Sequence, residues 1–294
     1  MKENEPLASR TSFGIGGPAD FFVEPGRTEA IEKVLDASRE RAIPYFLLGA
    51  GTNLLIADAG VEGLVVRVVT REHQVEGTRI RAAAGLKMMR LARIAADADL
   101  RGFEFAIGVP GSVGGAVYQN AGCWGKELRE VLVEACGFMP GSGRQTWKPG
   151  DLKFGYRTSA LRDGALKGAF VVEATIQLQR GDGEEAKTVM AKLTRERNET
   201  QPIKTKNCGS VFKNPEGGLG AVRMIEECGL KEHRIGGALI SPRHANFIEN
   251  AGDARSADAV ALMAEARRRG LEQFGVELRH EVEFLGPLEL PPLG

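Results

Sequence analysis

The sequence predicts a mixed α/β protein with a glycine-lined ligand site. Three observations carry this. Short β-patterned runs alternate with a few strongly periodic helical stretches. Glycine contributes 38 of 294 residues, nearly twice the usual ~7%, and it clusters where strand patterns end. Hydrophobic residues make up 43% and charged residues 27%, an ordinary globular balance that excludes a disordered or fibrous chain.

The elements follow in order. Ala19 to Glu24 reads as a strand stopped by Pro25 and Gly26. Thr28 caps a helix with Ile31, Val34 and Leu35 on one face, and Pro44 ends it. Tyr45 to Leu48 is a short strand closed by Gly49-Ala50-Gly51. Leu54 to Ala57 and Gly63 to Val69 are two more. Gln74 to Arg81 predicts a hairpin turning at Glu76-Gly77. Leu86, Met89, Leu91, Ile94 and Ala95 mark a helix over 86–100. Val131 to Met139 and Ala169 to Leu178 read as buried strands. Glu184 to Arg197 is a helix ended by Gln201-Pro202, which marks a domain boundary. Beyond it, Met224 to Cys228 is a short helix and Asn246 to Glu249 a strand. Ser256 to Phe274 is an amphipathic helix with Ser256 as N-cap, and Glu281 to Leu285 is a last strand. Three prolines within 287–294 predict a mobile tail.

Composition narrows the function. Lys+Arg and Asp+Glu are both 39, so the basic excess of a nucleic-acid binder is missing. No apolar run approaches the ~18 residues of a membrane span. The polar start, MKENEPLASRT, predicts no secretory leader. Cys123, Cys136, Cys208 and Cys228 show no C-x-x-C spacing and no histidine at ligand distance. Neither a metal site nor a disulfide framework is expected, which fits a reducing cytoplasm.

Two glycine segments stand out. In Gly49-Ala50-Gly51-Thr52-Asn53-Leu54, glycines after a strand let backbone N–H groups approach a phosphate. A strand follows instead of a helix, so this is no dinucleotide fingerprint. The segment Gly108 to Gly115 carries Gly111, Ser112, Gly114 and Gly115, and leads through Asn120 to Gly122. Close backbone approach to a bulky cofactor explains this density. Arg157, beside Tyr156, offers a fork for a carboxylate or phosphate, or a surface ion pair. Ser210, freed by Gly209, is compatible with a nucleophile, a proton donor or a turn residue, and Cys208 is a rival reactive group. The Arg267 to Arg269 run, with Glu265 and Glu272 nearby, reads as a solvated helix face.

Taken together, Thr11 to Gly17, Gly49 to Leu55, Gly108 to Gly122, Tyr156-Arg157, Gly209 to Pro215 and Arg234 to Phe247 resemble the UDP-N-acetylenolpyruvoylglucosamine reductase (MurB) family. They occur in the family's order across 11–286. The resemblance implies an α+β fold. Two subdomains form an FAD-binding fold of the vanillyl-alcohol oxidase (PCMH) type, and a C-terminal α+β domain covers the substrate. The implied bounds are 1–70, 71–200 and 201–280, with 281–294 as returning strand and tail. The direct passage from Arg197 to Asn207 resembles the shorter type, which lacks an extra tyrosine loop.

The resemblance also implies the chemistry. NADPH would reduce FAD, and the enolpyruvyl group of a nucleotide sugar would then be reduced to a lactyl ether in peptidoglycan precursor synthesis. By the match, Ser210 donates the proton, while Arg157 and Glu281 stabilise the charge that develops on the carboxylate side. Gly49, Ala50, Gly51, Thr52, Asn53, Leu54, Gly111, Ser112, Gly114, Gly115, Asn120 and Gly122 would hold FAD. Tyr156, Lys213, Asn214, Arg223, His244 and Asn246 would contact the nucleotide sugar. A cytoplasmic monomer with roles in cell wall biogenesis, cell shape and division is expected. The alternative is another FAD-dependent alcohol or hydroxy-acid oxidoreductase of the same fold. Two features depart from the family pattern. Cys123-Trp124 stands where a small residue and often an aromatic are expected, and no histidine in 49–55 is available for a covalent flavin link.

Overall fold

The computed structural model describes residues 1–139, 141–166 and 168–293. The chain divides into two units, each assembled from separate stretches of sequence. One comprises Met1–Phe22, Gly51–Val65 and Asn198–Gly294, the other Val23–Ala50 and Val66–Arg197.

In the first unit, Lys2–Pro6 pairs antiparallel with Pro18–Val23. The sequence reading missed Lys2–Pro6, because Lys-Glu-Asn-Glu-Pro carries no apolar alternation. Its pairing comes from the partner strand. The C-terminal part is a four-stranded antiparallel sheet in the order Asn207–Ser210, Phe247–Asn250, Ala238–Ile240, Arg234–Ile235. The helices Ala221–Glu227 and Ser256–Phe274 share its core. In the longer helix Ala259, Leu262, Met263, Ala266 and Gly270 are buried, an i, i+3, i+4, i+7 stripe that meets Met224, Ile225, Ile240 and Leu278. Gly275 stops it at φ +67°.

Three local expectations need correction. Ser256 is the first helical residue, not the N-cap. Its N–H donates to both Asp58 carboxylate oxygens at 2.9 and 3.0 Å, and its hydroxyl accepts the Asp58 N–H at 3.0 Å. A partner 198 positions away in sequence thus takes over the capping. Thr28 likewise begins its helix, Thr28–Glu40, after an extended Arg27. The tail is anchored at several points. Leu288 and Leu290 pack against the core, and Arg267 donates to the Pro291 carbonyl at 2.9 Å.

In the second unit a five-stranded antiparallel sheet runs Gly143–Trp147, Leu132–Met139, Phe170–Gln177, Arg79–Ala83, His73–Glu76. The helices Met88–Asp97 and Val113–Gln119 bury Met88, Leu91, Ile94, Val113 and Val117 in its core. Met88, not Met89, lies innermost. The Val113–Gln119 helix was not read from sequence, since glycines disfavour helix. Two tertiary features override propensity. Ser112 has extended φ/ψ and its Oγ accepts the Gly115 N–H at 3.4 Å, an N-cap. Gly114, lacking Cβ, lets its N–H reach the Ala84 carbonyl at 2.8 Å.

Candidate active site

The loop at 49–53 follows the strand Tyr45–Leu48. Gly51 has φ +66°, and a Cβ there would lie 2.3 Å from the Arg10 carbonyl oxygen. A Cβ on Gly49 would lie 2.5 Å from Ser112 Oγ. A side chain is therefore excluded at Gly51, and one at Gly49 would displace the Ser112 hydroxyl. The N–H groups of Gly49, Ala50, Gly51 and Thr52 donate to no acceptor among the described residues. Four successive donors on a loop with glycine at two of its four positions could hold the oxyanions of a phosphate-bearing ligand.

The second glycine segment is more divided. The N–H groups of Gly111 and Ser112 also find no acceptor among the described residues. Those of Val113, Gly114, Gly115 and Ala116 are spent on Leu86 O, Ala84 O, Ser112 Oγ and Ser112 O. Gly114 and Gly115 thus serve helix packing and capping. Gly122 is required by its hairpin, since a Cβ would sit 2.1 Å from the Lys126 carbonyl oxygen. Asn120 is fully buried, and its carboxamide is bonded to Glu127, Gly155 and Arg129.

Ser210 ends the strand Asn207–Ser210 opposite Phe247, behind Gly209 at φ +81°. Glu281 comes to the same place through its N–H, which donates to Val211 O at 2.7 Å. Asn53 joins them. Its Nδ2 donates to Glu281 O at 3.2 Å, and its carbonyl accepts the Glu283 N–H at 3.0 Å. The parallel pairing of Leu54–Ile56 with Glu283–Leu285 continues this seam. Ser12, from the Thr11 to Gly17 motif, closes the other side. Its N–H donates to Gly51 O at 2.9 Å and its Oγ to Asn207 O at 2.7 Å. The structure therefore brings Ser210, Glu281, Asn53 and the end of the glycine loop together.

Cys208 loses its claim to reactivity. It is 1% exposed, and burial, reinforced by the nearby Glu281 charge, pushes its thiol up to about 12. A thiol in that state is no nucleophile. Cys123 is half-buried, with Sγ 3.9 Å from Arg197 Nη1, and burial raises its thiol too despite the guanidinium.

Arg157 sits at φ +54°, its Nη2 donating to Gly122 O at 2.9 Å and its guanidinium 5.1 Å from the centre of the exposed Tyr156 ring.

A family model described as FAD binding domain matches residues 19–142. Another, the C-terminal domain of UDP-N-acetylenolpyruvoylglucosamine reductase, matches 201–285. The chain is 40% identical over 284 residues to the UDP-N-acetylenolpyruvoylglucosamine reductase of Caldanaerobacter subterraneus subsp. tengcongensis, covering 96% of this chain and 93% of the relative. It is also 40% identical over 286 residues to UDP-N-acetylenolpyruvoylglucosamine reductase 1 of Bacillus anthracis, covering 96% and 94%. The crystal structure of the reductase (MurB) from Thermus caldophilus matches with a TM-score of 0.80 at 36% identity, covering 95% and 97%.

The chain belongs to the UDP-N-acetylenolpyruvoylglucosamine reductase family.

The fold class expected of the family, an FAD-binding α+β fold followed by a C-terminal α+β domain, is the one present. FAD is the family's cofactor, and the donor nest at 49–52 suits its diphosphate. Among the described residues no helix is long and apolar enough to cross a membrane.

The family's C-terminal domain holds the remaining expected contacts in varied settings. Asn246 is buried, and its carboxamide is turned onto Phe212, accepting the Phe212 N–H at 2.9 Å and donating to the Phe212 carbonyl at 2.8 Å. It therefore braces the Ser210 strand. Asn214 Oδ1 accepts the Ala221 N–H at 3.0 Å, at the start of the Ala221–Glu227 helix. Arg223 lies on that helix's exposed face, 3.9 Å from Glu226 and 3.6 Å from Glu227. His244 meets Phe247 edge-on at 4.7 Å. Lys213 is half-buried, with its N–H on Arg279 O at 2.9 Å. Sequence reasoning missed Ser12, Asp58 and Asn250. Asn250 Nδ2 lies 3.3 Å from both Phe13 O and Gly14 O. Only Ser12 carried a sequence signal, its place in the Thr11 to Gly17 motif.

Proposed function

We propose that Ser210, Arg157 and Glu281 carry the reaction of this FAD-dependent reductase, which uses NADPH to reduce the enolpyruvyl group of UDP-N-acetylglucosamine enolpyruvate to the lactyl ether. The observation that supports it is the seam joining Ser210, Val211, Glu281 and Asn53 beside the donor nest. The chemistry FAD supplies when bound is transfer of reducing equivalents from NADPH to the double bond. The chain's residues handle charge and protons. As electron density builds on the carbon next to the carboxylate, Arg157 offsets it with positive charge and Glu281, in its protonated form, with a donated hydrogen bond. Ser210 Oγ gives its proton to that carbon. A hydroxyl is a weak acid, but a carbanion-like centre is basic enough to take its proton.

The FAD nest is assigned to residues 49–54 with Gly111 and Ser112, and the nucleotide sugar to Tyr156, Lys213 and His244. Residues 1–70 and 71–200 are assigned to FAD and 201–280 to the substrate, with 281–294 returning. The setting is a cytoplasmic monomer supplying peptidoglycan synthesis, and through it cell shape and division.

The test is an anaerobic titration of the purified holoenzyme. Yellow protein should bleach with NADPH and recover its colour on addition of the enolpyruvyl nucleotide sugar. Protein that neither binds FAD nor reoxidises with that substrate overturns the reading.

A further inference from the structure

Arg157 carries an unusual backbone. It is the third residue of the tight Gly155–Thr158 turn, in which each end's N–H bonds the other's carbonyl at 3.1 and 3.3 Å. At φ +54° it occupies a position that normally goes to glycine or asparagine. A left-handed arginine is strained, so surrounding contacts must hold it there.

Arg162 Nη1 donates to the Arg157 carbonyl at 2.7 Å, and three further contacts come from the alternate residues 118, 120 and 122. Tyr118 O accepts from Ser159 Oγ at 2.5 Å, and Ser159 is fully buried. Asn120 Nδ2 donates to Gly155 O at 2.9 Å. Gly122 O accepts from Arg157 Nη2 at 2.9 Å. The rungs grip the loop before, at and after the arginine. Asn120 is the central rung, and its own orientation is locked. The same Nδ2 donates to Glu127 Oε2 at 2.9 Å, and Oδ1 accepts the Arg129 N–H at 3.1 Å. With both amide hydrogens bonded within the chain and no exposed surface, this side chain has no donor left for a ligand.

We propose that Asn120 is a positioning residue for Arg157: its carboxamide fixes the turn from which the guanidinium is presented, and it makes no contact with FAD. The inference rests on the role of Arg157 given above and replaces the expectation that Asn120 binds cofactor.

The decisive experiment is a double-mutant cycle on the holoenzyme. Asn120→Asp keeps the shape but sets a carboxylate against Gly155 O and the Glu127 carboxylate. The expected result is full FAD content and an NADPH-driven flavin reduction rate within about twofold of the parent. Reoxidation by the enolpyruvyl nucleotide sugar should fall about 10- to 100-fold, the scale of a misplaced catalytic group. In an Arg157→Lys background the same change should add little, because both act through one guanidinium. Loss of FAD, equal slowing of both half-reactions, or fully additive losses would overturn the proposal. If the aspartate variant does not fold, Asn120→Gly, which tolerates the left-handed backbone, decides by the same measurements. Arg157→Lys with unchanged reoxidation would sink the Arg157 role itself. A slowed Arg157→Lys beside an unaffected Asn120 variant would sink only the positioning claim.

Discussion

Asn53 donates to the carbonyl of Glu281 at 3.2 Å, across 228 positions of sequence. That bond, with the Glu283 N–H returning to Asn53 O, stitches the glycine loop to the segment that bears Glu281 and leads into the strand Glu283–Leu285, not the strand Glu281 to Leu285 expected from sequence. Because Glu281 N–H also holds Val211 O, Ser210, the proposed proton donor, is one residue from the same stitch.

Ser210→Ala should leave reduction by NADPH nearly unchanged and slow substrate-driven reoxidation by at least about 10²- to 10⁴-fold, the usual cost of losing a general acid. Anaerobic stopped-flow measurement of the two half-reactions reads this directly. Equal damage to both would remove Ser210 from the proton-donor role.

Gly51→Ala should abolish stable FAD binding. Its φ of +66° and the Arg10 carbonyl 2.3 Å from a Cβ force the loop to move, which disperses the donor nest. The flavin-to-protein absorbance ratio of the purified variant is the check, and a normal ratio would show that the nest is dispensable.

Asp58→Ala should lower stability by about 1 kcal/mol, the typical worth of a helix cap, because Ser256 N–H loses both carboxylate oxygens. Thermal or urea unfolding of the apoprotein measures it. An unchanged midpoint would mean that water replaces Asp58 without cost.

Cys208 should resist alkylation in the folded enzyme at pH 8 and react promptly once unfolded. Its folded thiol is raised to about 12 against 9.0 for the free group. Between those values the unfolded chain releases a proton that the folded chain keeps. This group's contribution to stability is therefore present below 9 and lost as pH rises toward 12. Iodoacetamide labelling read by mass spectrometry tests the first point, and denaturation midpoints across that alkaline range the second.

Much of the fold was legible because local chemistry and tertiary demand agree. The Ser256–Phe274 helix and the Tyr45–Leu48 strand have the bounds that their periodicity and breakers predict. Agreement ended where a distant group decided the outcome. The Val113–Gln119 helix has poor intrinsic propensity and exists because Ser112 and Ala84 satisfy its first turn. Asn120 and Asn246, expected as ligand contacts, have side chains that are buried and bonded within the chain; buried and exposed asparagines are alike in sequence, and only their partners separate them.

By itself the sequence determined where the backbone must be free of side chains, which stretches are strand or helix, and, through the ordered motifs, which family the chain joins. Only the tertiary structure decided which polar groups remain available. Hydrogen bonding in a folded chain is a closed account: a donor spent on Leu86 or Ala84 cannot meet a phosphate, and one left at Gly49 to Thr52 can. Those pairings join residues far apart in sequence, so spacing along the chain does not encode them.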